Sequence, residues 1–291
     1  MKPRQFEYFA PNSVDEAVSL LEPHADSARL LAGGQSLLPM MNFRLVSPEI
    51  LIDLNRVHDL AYVRAEIDAV RIGAMTRQRT LEFSSQIKSE LPLLSATLPL
   101  IGHLPTRSRG TIGGSLSHND PAAELPMMLN ALDGEVLARG PQGTRVIAAK
   151  DFFSGSMTTA LNPNEILVEI KFPRMPKNAR FAVEEFSRRK GDFAIAAIAV
   201  VLVGTGASIE KVSIATAGIT AHSLRLSAAE QVLLESGATE AAIAQAAKAG
   251  AETIEPLSDA NGSGEFRRHL TRVLTERAVR RALDQRPAQL H

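Results

Sequence analysis

Cysteine is absent from all 291 residues. That excludes disulfides, thiolate nucleophiles, cysteine zinc sites and any iron–sulfur cluster carried by this chain. A surplus of one charge is lacking too, because Lys+Arg and Asp+Glu both number 32. A non-specific nucleic-acid binder relies on a basic excess, so that class is set aside. His24, His58, His103, His118, His222, His269 and His291 are scattered, with no metal-ligand spacing such as H-x-x-x-H. The most apolar run, Ala194 to Val203, spans about ten residues, short of the roughly 20 that cross a bilayer. The N-terminal residues Met1 to Glu7 lack the apolar core of a secretory signal. The expectation is a cytoplasmic protein without a transmembrane segment. No nucleophile motif is found: G-x-S-x-G is missing, and Gly155-Ser156 lacks its distal glycine. The acids are dispersed, and spacing alone nominates no acid–base pair.

What is present is the composition of a globular protein, with 45% hydrophobic and 22% charged residues. The length allows two ordinary domains. Ser13-Val14-Asp15-Glu16 reads as a capping box ahead of an apolar helical face, which Pro23 ends. Strand-like runs follow at Ala28 to Ala32 and Ile50 to Leu54. Hairpins are expected around Ala65–Asp68 and at Gly140-Pro141-Gln142-Gly143. Residues 81–104 look helical in pieces, broken by Pro92 and Pro99, and Ile166 to Phe172 alternates as a half-buried strand does. Arg174 to Asn178 reads as a linker. Beyond it come strands at Phe181–Phe186, Ala194–Val203 and Val212–Ala217, then helices at about 227–235, 239–254 and 264–284. The order fits an α+β protein. The expected boundaries are 1–176 in two lobes, 1–57 and 58–176, followed by 177–291. The last helix is expected to be amphipathic, with Arg267, Arg268, Arg272, Arg277, Arg280 and Arg281 on a solvated face.

Two glycine pairs carry the chemical signal. In Ala32-Gly33-Gly34-Gln35-Ser36-Leu37 a strand runs into a turn where backbone N–H groups can converge and no side chain blocks approach, as around a pyrophosphate. A plain strand-ending turn is the alternative. Thr111-Ile112-Gly113-Gly114-Ser115 again sets two glycines among hydroxyls, in what alone reads as a hairpin or loop. Together the pairs point to one phosphate-bearing ligand. Val203-Gly204-Thr205-Gly206 begins like a dinucleotide fingerprint but has Ile209 in place of the third glycine, and a strand follows instead of a helix. A hairpin turn is expected there. Ser187 to Phe193 places three cations before an acid and an aromatic, as either a solvated turn or a ligand contact.

The ordered set of these segments resembles the FAD-binding medium subunit of aerobic carbon monoxide dehydrogenase, a relative of the xanthine dehydrogenase flavin domain. The motifs concerned are Ala32 to Pro39, Thr111 to Ser115, Asp120 to Pro126, Glu165 to Leu167, Arg188 to Ala194 and Gly264 to Arg267. The resemblance implies a two-lobed FAD-binding domain of the vanillyl-alcohol-oxidase-like (PCMH) type, then a small domain of antiparallel sheet and covering helices. It implies FAD held at Ala32, Gly33, Gly34, Gln35, Ser36 and Leu37 and at Thr111, Gly113, Gly114 and Ser115, with Glu124, Leu167, Asp192 and Phe193 near the flavin or adenine ends. It also implies a molybdenum-cofactor large subunit, a [2Fe–2S] small subunit that passes electrons here, an external electron acceptor, and a dimer of heterotrimers. One departure stands out: relatives of the xanthine dehydrogenase type carry a lysine near the flavin, where this chain reads Glu184-Glu185. The other readings are a self-contained FAD oxidoreductase and a nucleotide-binding module without catalysis.

Overall fold

The computed structural model describes residues 2–285. Near the N-terminus, β1 (Glu7–Phe9) leads into α1 (Val14–Leu21). Ser13 caps this helix by accepting from the Glu16 N–H at 3.1 Å, and Glu16 reaches back to accept from the N–H of Asn12 at 2.7 Å. The reciprocal bond thus falls one residue earlier than a standard capping box. After β2 (Ala28–Leu31), α2 (Leu37–Asn42) and β3 (Ile50–Asp53), the first sheet is complete, in the order β1-β3-β2 and all parallel.

The chain then forms the hairpin of β4 (Val63–Ala65) and β5 (Ala69–Gly73). Short helices follow: α3 (Gln78–Glu82), α4 (Ser85–Glu90), α5 (Pro92–Thr97), α6 (Leu104–Arg109), α7 (Ile112–His118) and α8 (Glu124–Ala131). Pro92, Pro99 and Pro105 sit in the first turns of their helical pieces, where the missing N–H costs nothing. Next come β6 (Glu135–Gly140), β7 (Gly143–Ala148), the single turn α9 (Ala149–Phe152), a small hairpin of β8 (Phe153–Gly155) and β9 (Thr158–Thr159), and β10 (Ile166–Pro173). The second sheet runs β4-β5-β10-β6-β7 and is antiparallel throughout.

The third sheet is β11 (Arg180–Phe186), β12 (Ala196–Val203) and β13 (Lys211–Ala217), again antiparallel, and the turn with Gly204 and Gly206 joins two of its strands as expected. It is buried on both faces. Ile198, Val200 and Leu202 pack with α10 (Ser227–Ser236), α11 (Glu240–Glu252) and α12 (Gly264–Leu283). The alternate residues Ala197, Ala199, Val201, Ala215 and Ala217 join the core of the second sheet and α8. The period of two sorts bulky residues to one face and small ones to the other. The small face lets α8, buried along its whole length, lie close on the sheet. Ser213 donates its hydroxyl to the Ala131 carbonyl at 2.7 Å, and Asn130 donates to the Ser223 carbonyl at 3.0 Å.

One expectation for α12 fails. Arg267 does not belong to a solvated face: it is 3% exposed, and its guanidinium donates to the carbonyls of Ile195 (2.6 Å) and Gly218 and to Asp259 (2.7 Å). Sequence periodicity counted it among the exposed arginines because nothing local marks the two carbonyls it must reach. Arg267→Ala should therefore cost about 3 kcal/mol, by stranding buried acceptors. Urea denaturation measures this, and Arg268→Ala, whose residue is exposed, should shift the midpoint far less.

Candidate functional site

A cavity of about 540 Å³ lies where the first sheet, the second sheet and the 187–193 turn meet. That is within the range of small-molecule and cofactor sites. The strand β2 delivers Ala32, Gly33, Gly34, Gln35, Ser36 and Leu37 to one wall. Thr111, Gly113, Gly114 and Ser115 form the facing wall, with Glu124, Leu167 and Phe193 around it. Of the residues singled out in the sequence, only Asp192 does not line the cavity; it is exposed on the turn beside Phe193.

The two glycine segments differ in what they offer. Among the described residues, no protein acceptor takes the N–H of Gly33, Gly34, Gln35 or Ser36, so these donors are free for an anionic ligand. The second segment is not a hairpin or open loop. Thr111 is the N-cap of α7, its hydroxyl accepting from the Gly114 N–H at 3.0 Å. The N–H groups of Ile112, Gly113 and Ser115 go to the carbonyls of Thr76, Ala74 and Thr111. This segment therefore contributes hydroxyls and a smooth wall, with its backbone donors already engaged.

Two of the glycines also allow close backbone contacts: Gly33 brings the two segments together, and Gly113 packs on Ala74 beyond β5. A Cβ on Gly33 would collide with the Arg109 carbonyl and lie 2.8 Å from the Cα of Gly110. One on Gly113 would lie 2.5 Å from the Ala74 Cβ and 2.7 Å from its carbonyl oxygen. A polar chain braces the same junction: Asn55 donates to the Ala32 carbonyl at 2.9 Å and accepts from Arg77 at 2.5 Å, and Arg77 also donates to the Arg109 carbonyl. Asn119 ends α7 in the left-handed conformation (φ 48°), a state that asparagine tolerates better than most residues. From there its amide reaches the carbonyls of Gly155 (2.8 Å) and Thr158 (2.9 Å), which sets Met157 at the cavity edge.

Some lining residues gave no sequence signal. Gln78 is buried, and its carboxamide oxygen has no hydrogen-bond partner, so a bound donor is its natural complement. Arg29 is the one lysine or arginine in the lining. Gln78 lies in a run of polar residues and Arg29 in a short strand that is otherwise apolar, so no local pattern distinguishes either. A larger, open cleft of about 830 Å³ is lined by Asn55, His58, Tyr62, Arg77 and Phe83 among others. It contains no buried polar group without a partner and neither glycine segment, and it is the poorer candidate. Among the described residues no group of three or more His, Asp or Glu is placed to hold a metal, and no helix is long and apolar enough to cross a membrane.

The electrostatics centre on Glu124, 4% exposed at the start of α8. Burial, and then the nearby Glu185 carboxyl, push its pKa up to about 8. Burial raises Glu185 to about 7.

Residues 4–175 match the family described as FAD binding domain in molybdopterin dehydrogenase, and residues 181–282 match the CO dehydrogenase flavoprotein C-terminal domain. The chain belongs to the FAD-binding flavoprotein subunits of the molybdenum hydroxylases. It is 39% identical to the 6-hydroxypseudooxynicotine dehydrogenase complex subunit alpha of Paenarthrobacter nicotinovorans, over 97% of this chain and 96% of the relative. It is 38% identical to the carbon monoxide dehydrogenase medium chain of Hydrogenophaga pseudoflava, over 97% and 98%. A solved carbon monoxide dehydrogenase from H. pseudoflava superposes with a TM-score of 0.95 at 39% identity, covering 97% of this chain and 98% of that one.

One prediction contrasts Gly114, which lines the cavity, with Gly206, which does not. Gly114→Val should lose FAD while the chain stays folded, because a Cβ there already meets the Thr111 hydroxyl at 2.7 Å and Ala32 at 3.3 Å across the cavity. Gly206→Ala should keep its flavin and cost about 1 kcal/mol, since the site is open but φ is +56°. Flavin absorbance of the purified variants checks both. The second prediction concerns pH. Both acids have folded pKa values above their usual 4.5. Their stabilising contribution is complete below that value and is lost as pH rises through 7 to 8. The urea midpoint should therefore fall between about pH 5 and about pH 9, and Glu124→Gln should flatten that decline.

Proposed function

We infer that this chain is the electron-relay subunit of a molybdenum-containing hydroxylase, receiving electrons from [2Fe–2S] clusters of a small subunit and passing them through FAD to an external acceptor. A large subunit carrying the molybdenum cofactor would oxidise the substrate, and the whole would assemble as a dimer of heterotrimers in the cytoplasm. The medium-chain and complex-subunit names of the relatives support a multisubunit setting. We place residues 1–176, in lobes 1–57 and 58–176, as the FAD-binding part, and 177–291 as the second domain; residues 286–291 lie outside the described ones.

The observation that carries this reading is the single cavity between the two glycine segments. The free N–H groups of Gly33 to Ser36 and the cation of Arg29 suit a pyrophosphate, and the unpartnered Gln78 oxygen suits a ligand N–H or O–H. Glu124, Leu167 and Phe193 form the less polar end, suited to a flavin ring. Asp192, just outside the lining, would act from the rim. FAD supplies the ability to exchange electrons singly with clusters and in pairs with an acceptor. This chain's residues bind and orient it, and Phe193, which is 64% exposed, would cover the ring where a partner docks. The lack of cysteine means that the clusters must come from that partner.

Purification from the native host followed by mass spectrometry, metal analysis and acid precipitation tests this. The expected result is co-purification with a molybdenum subunit and an iron–sulfur subunit, and release of the flavin into the acid supernatant. A chain recovered alone, free of molybdenum and iron yet turning over substrate, would replace this reading with a self-contained oxidoreductase. Colour retained in the precipitate would disprove non-covalent binding.

A further inference from the structure

We propose that Glu124 and Glu185 form a proton relay through the wall between the flavin cavity and a second, solvent-open cavity. This rests on the reading of the first cavity as the FAD site. The second cavity, about 480 Å³, is lined by Ala96, Leu100, Glu185, Lys190 and Gly191 among others. The same chain segments line both cavities: Leu100 lines the second and Ile101 the first, and on the turn Gly191 lines the second and Phe193 the first. The two carboxyls divide in the same way, Glu124 lining the first and Glu185 the second.

Strand alternation sets the Glu185 side of the wall. On β11, Phe181 and Val183 pack against the core that contains α8, and Glu185 shares their face two residues further on. Its neighbour Glu184 points the other way and pairs with Arg281 of α12 at 2.8 Å. No charge from the sheet neutralises Glu185, because the same face of β12 and β13 presents Ala197, Ala199, Val201, Ser213, Ala215 and Ala217. α5, packed against β11, has no ionisable residue, and Glu124 is the one charged residue of α8. The other ionisable groups nearby are Asp120, whose charge also raises Glu124, with Arg29 and His118 in the first cavity, Lys190 and the paired Glu184 and Arg281 in the second, and His103 against Gly191. One Glu185 oxygen is buried without a partner, and neither acid enters an ion pair among the described residues. Glu124 is buried and Glu185 half-buried, and carboxyls withdrawn from water without an ion pair hold protons to neutral pH, as their raised pKa values reflect.

Reducing a flavin takes up protons as well as electrons, and the binding site must admit them without flooding the ring with water. In the relay, the O–H bond of Glu124 breaks and its proton passes into the flavin cavity as electrons arrive from the iron–sulfur partner. Glu185 reprotonates Glu124, and water in the second cavity reprotonates Glu185. One proton enters from solvent for each one delivered, and reoxidation reverses the path.

The test uses the full chain, with and without flavin. Infrared spectra at neutral pH should contain a protonated-carboxyl C=O band that shifts in D2O, weakens in Glu124→Gln and Glu185→Gln, and vanishes in the double variant. Reduction by the methyl viologen radical cation, which gives up electrons without releasing protons, in weak buffer with a pH indicator should show proton uptake keeping pace with flavin bleaching in the parent. In Glu185→Gln it should lag by tenfold or more, with added imidazolium restoring the rate. Circular dichroism confirms folding, and Glu185→Asp serves as the second variant, with partial recovery expected. Uptake in Glu185→Gln as fast as in the parent, or a yellow chain lacking the band, overturns the relay. A colourless chain with no affinity for FAD overturns the reading of the cavity instead, and the band in the flavin-free chain still reports on the pair.

Discussion

The site depends on the closeness of two backbone segments, one leaving β2 and the other joining α6 to α7. Gly33 lies against the Arg109 carbonyl and the Gly110 Cα, so the wall that follows β2 touches the wall that precedes α7. A side chain at Gly33 would part them, and with them the free N–H groups of the first segment and the hydroxyls of the second. The Asn55–Arg77 chain holds the same contact from the side, satisfying the carbonyls of Ala32 and Arg109 together. Such a fully engaged polar chain fixes one geometry where an apolar contact would tolerate slippage.

Around this contact the two segments divide the work. The first keeps its donors free and stays irregular until α2 begins, which is how a chain meets a ligand with its backbone. The second spends its donors on Ala74, Thr76 and Thr111 and becomes a helix, which makes it rigid. Rigidity on one side and free donors on the other suit a cofactor whose reactive ring must be held still while its phosphates are gripped.

The third sheet extends the same economy of small residues. Alanines at 197, 199, 215 and 217 bring α8 close, and α8 begins with Glu124. The packing that joins the C-terminal sheet to the rest of the molecule therefore also buries Glu124, one of the two carboxyls that line the cavity. Phe193 hangs from the turn that precedes β12, so the same sheet places an aromatic at the cavity mouth.

The sequence by itself determined the element order, because periodicity, prolines and caps are local. Ser13, Pro92 and the alternation of Ile166 to Phe172 each act within a few residues of themselves. It also determined the cofactor class, since two glycine pairs in order with Asp120 to Pro126 form a distinctive set. Tertiary structure alone decided which glycines are pressed against protein, because Gly33 and Gly113 are crowded by residues far from them in the chain. It alone turned Arg267 inward, made Gln78 and Arg29 part of the cavity, and left Asp192 outside it. These are matters of what surrounds a residue once distant segments meet, and no local pattern records them. Glu185 shows the difference most clearly: in sequence it is one of two adjacent glutamates, and strand alternation sends one to Arg281 and leaves the other half-buried on the face that packs toward the core of α8.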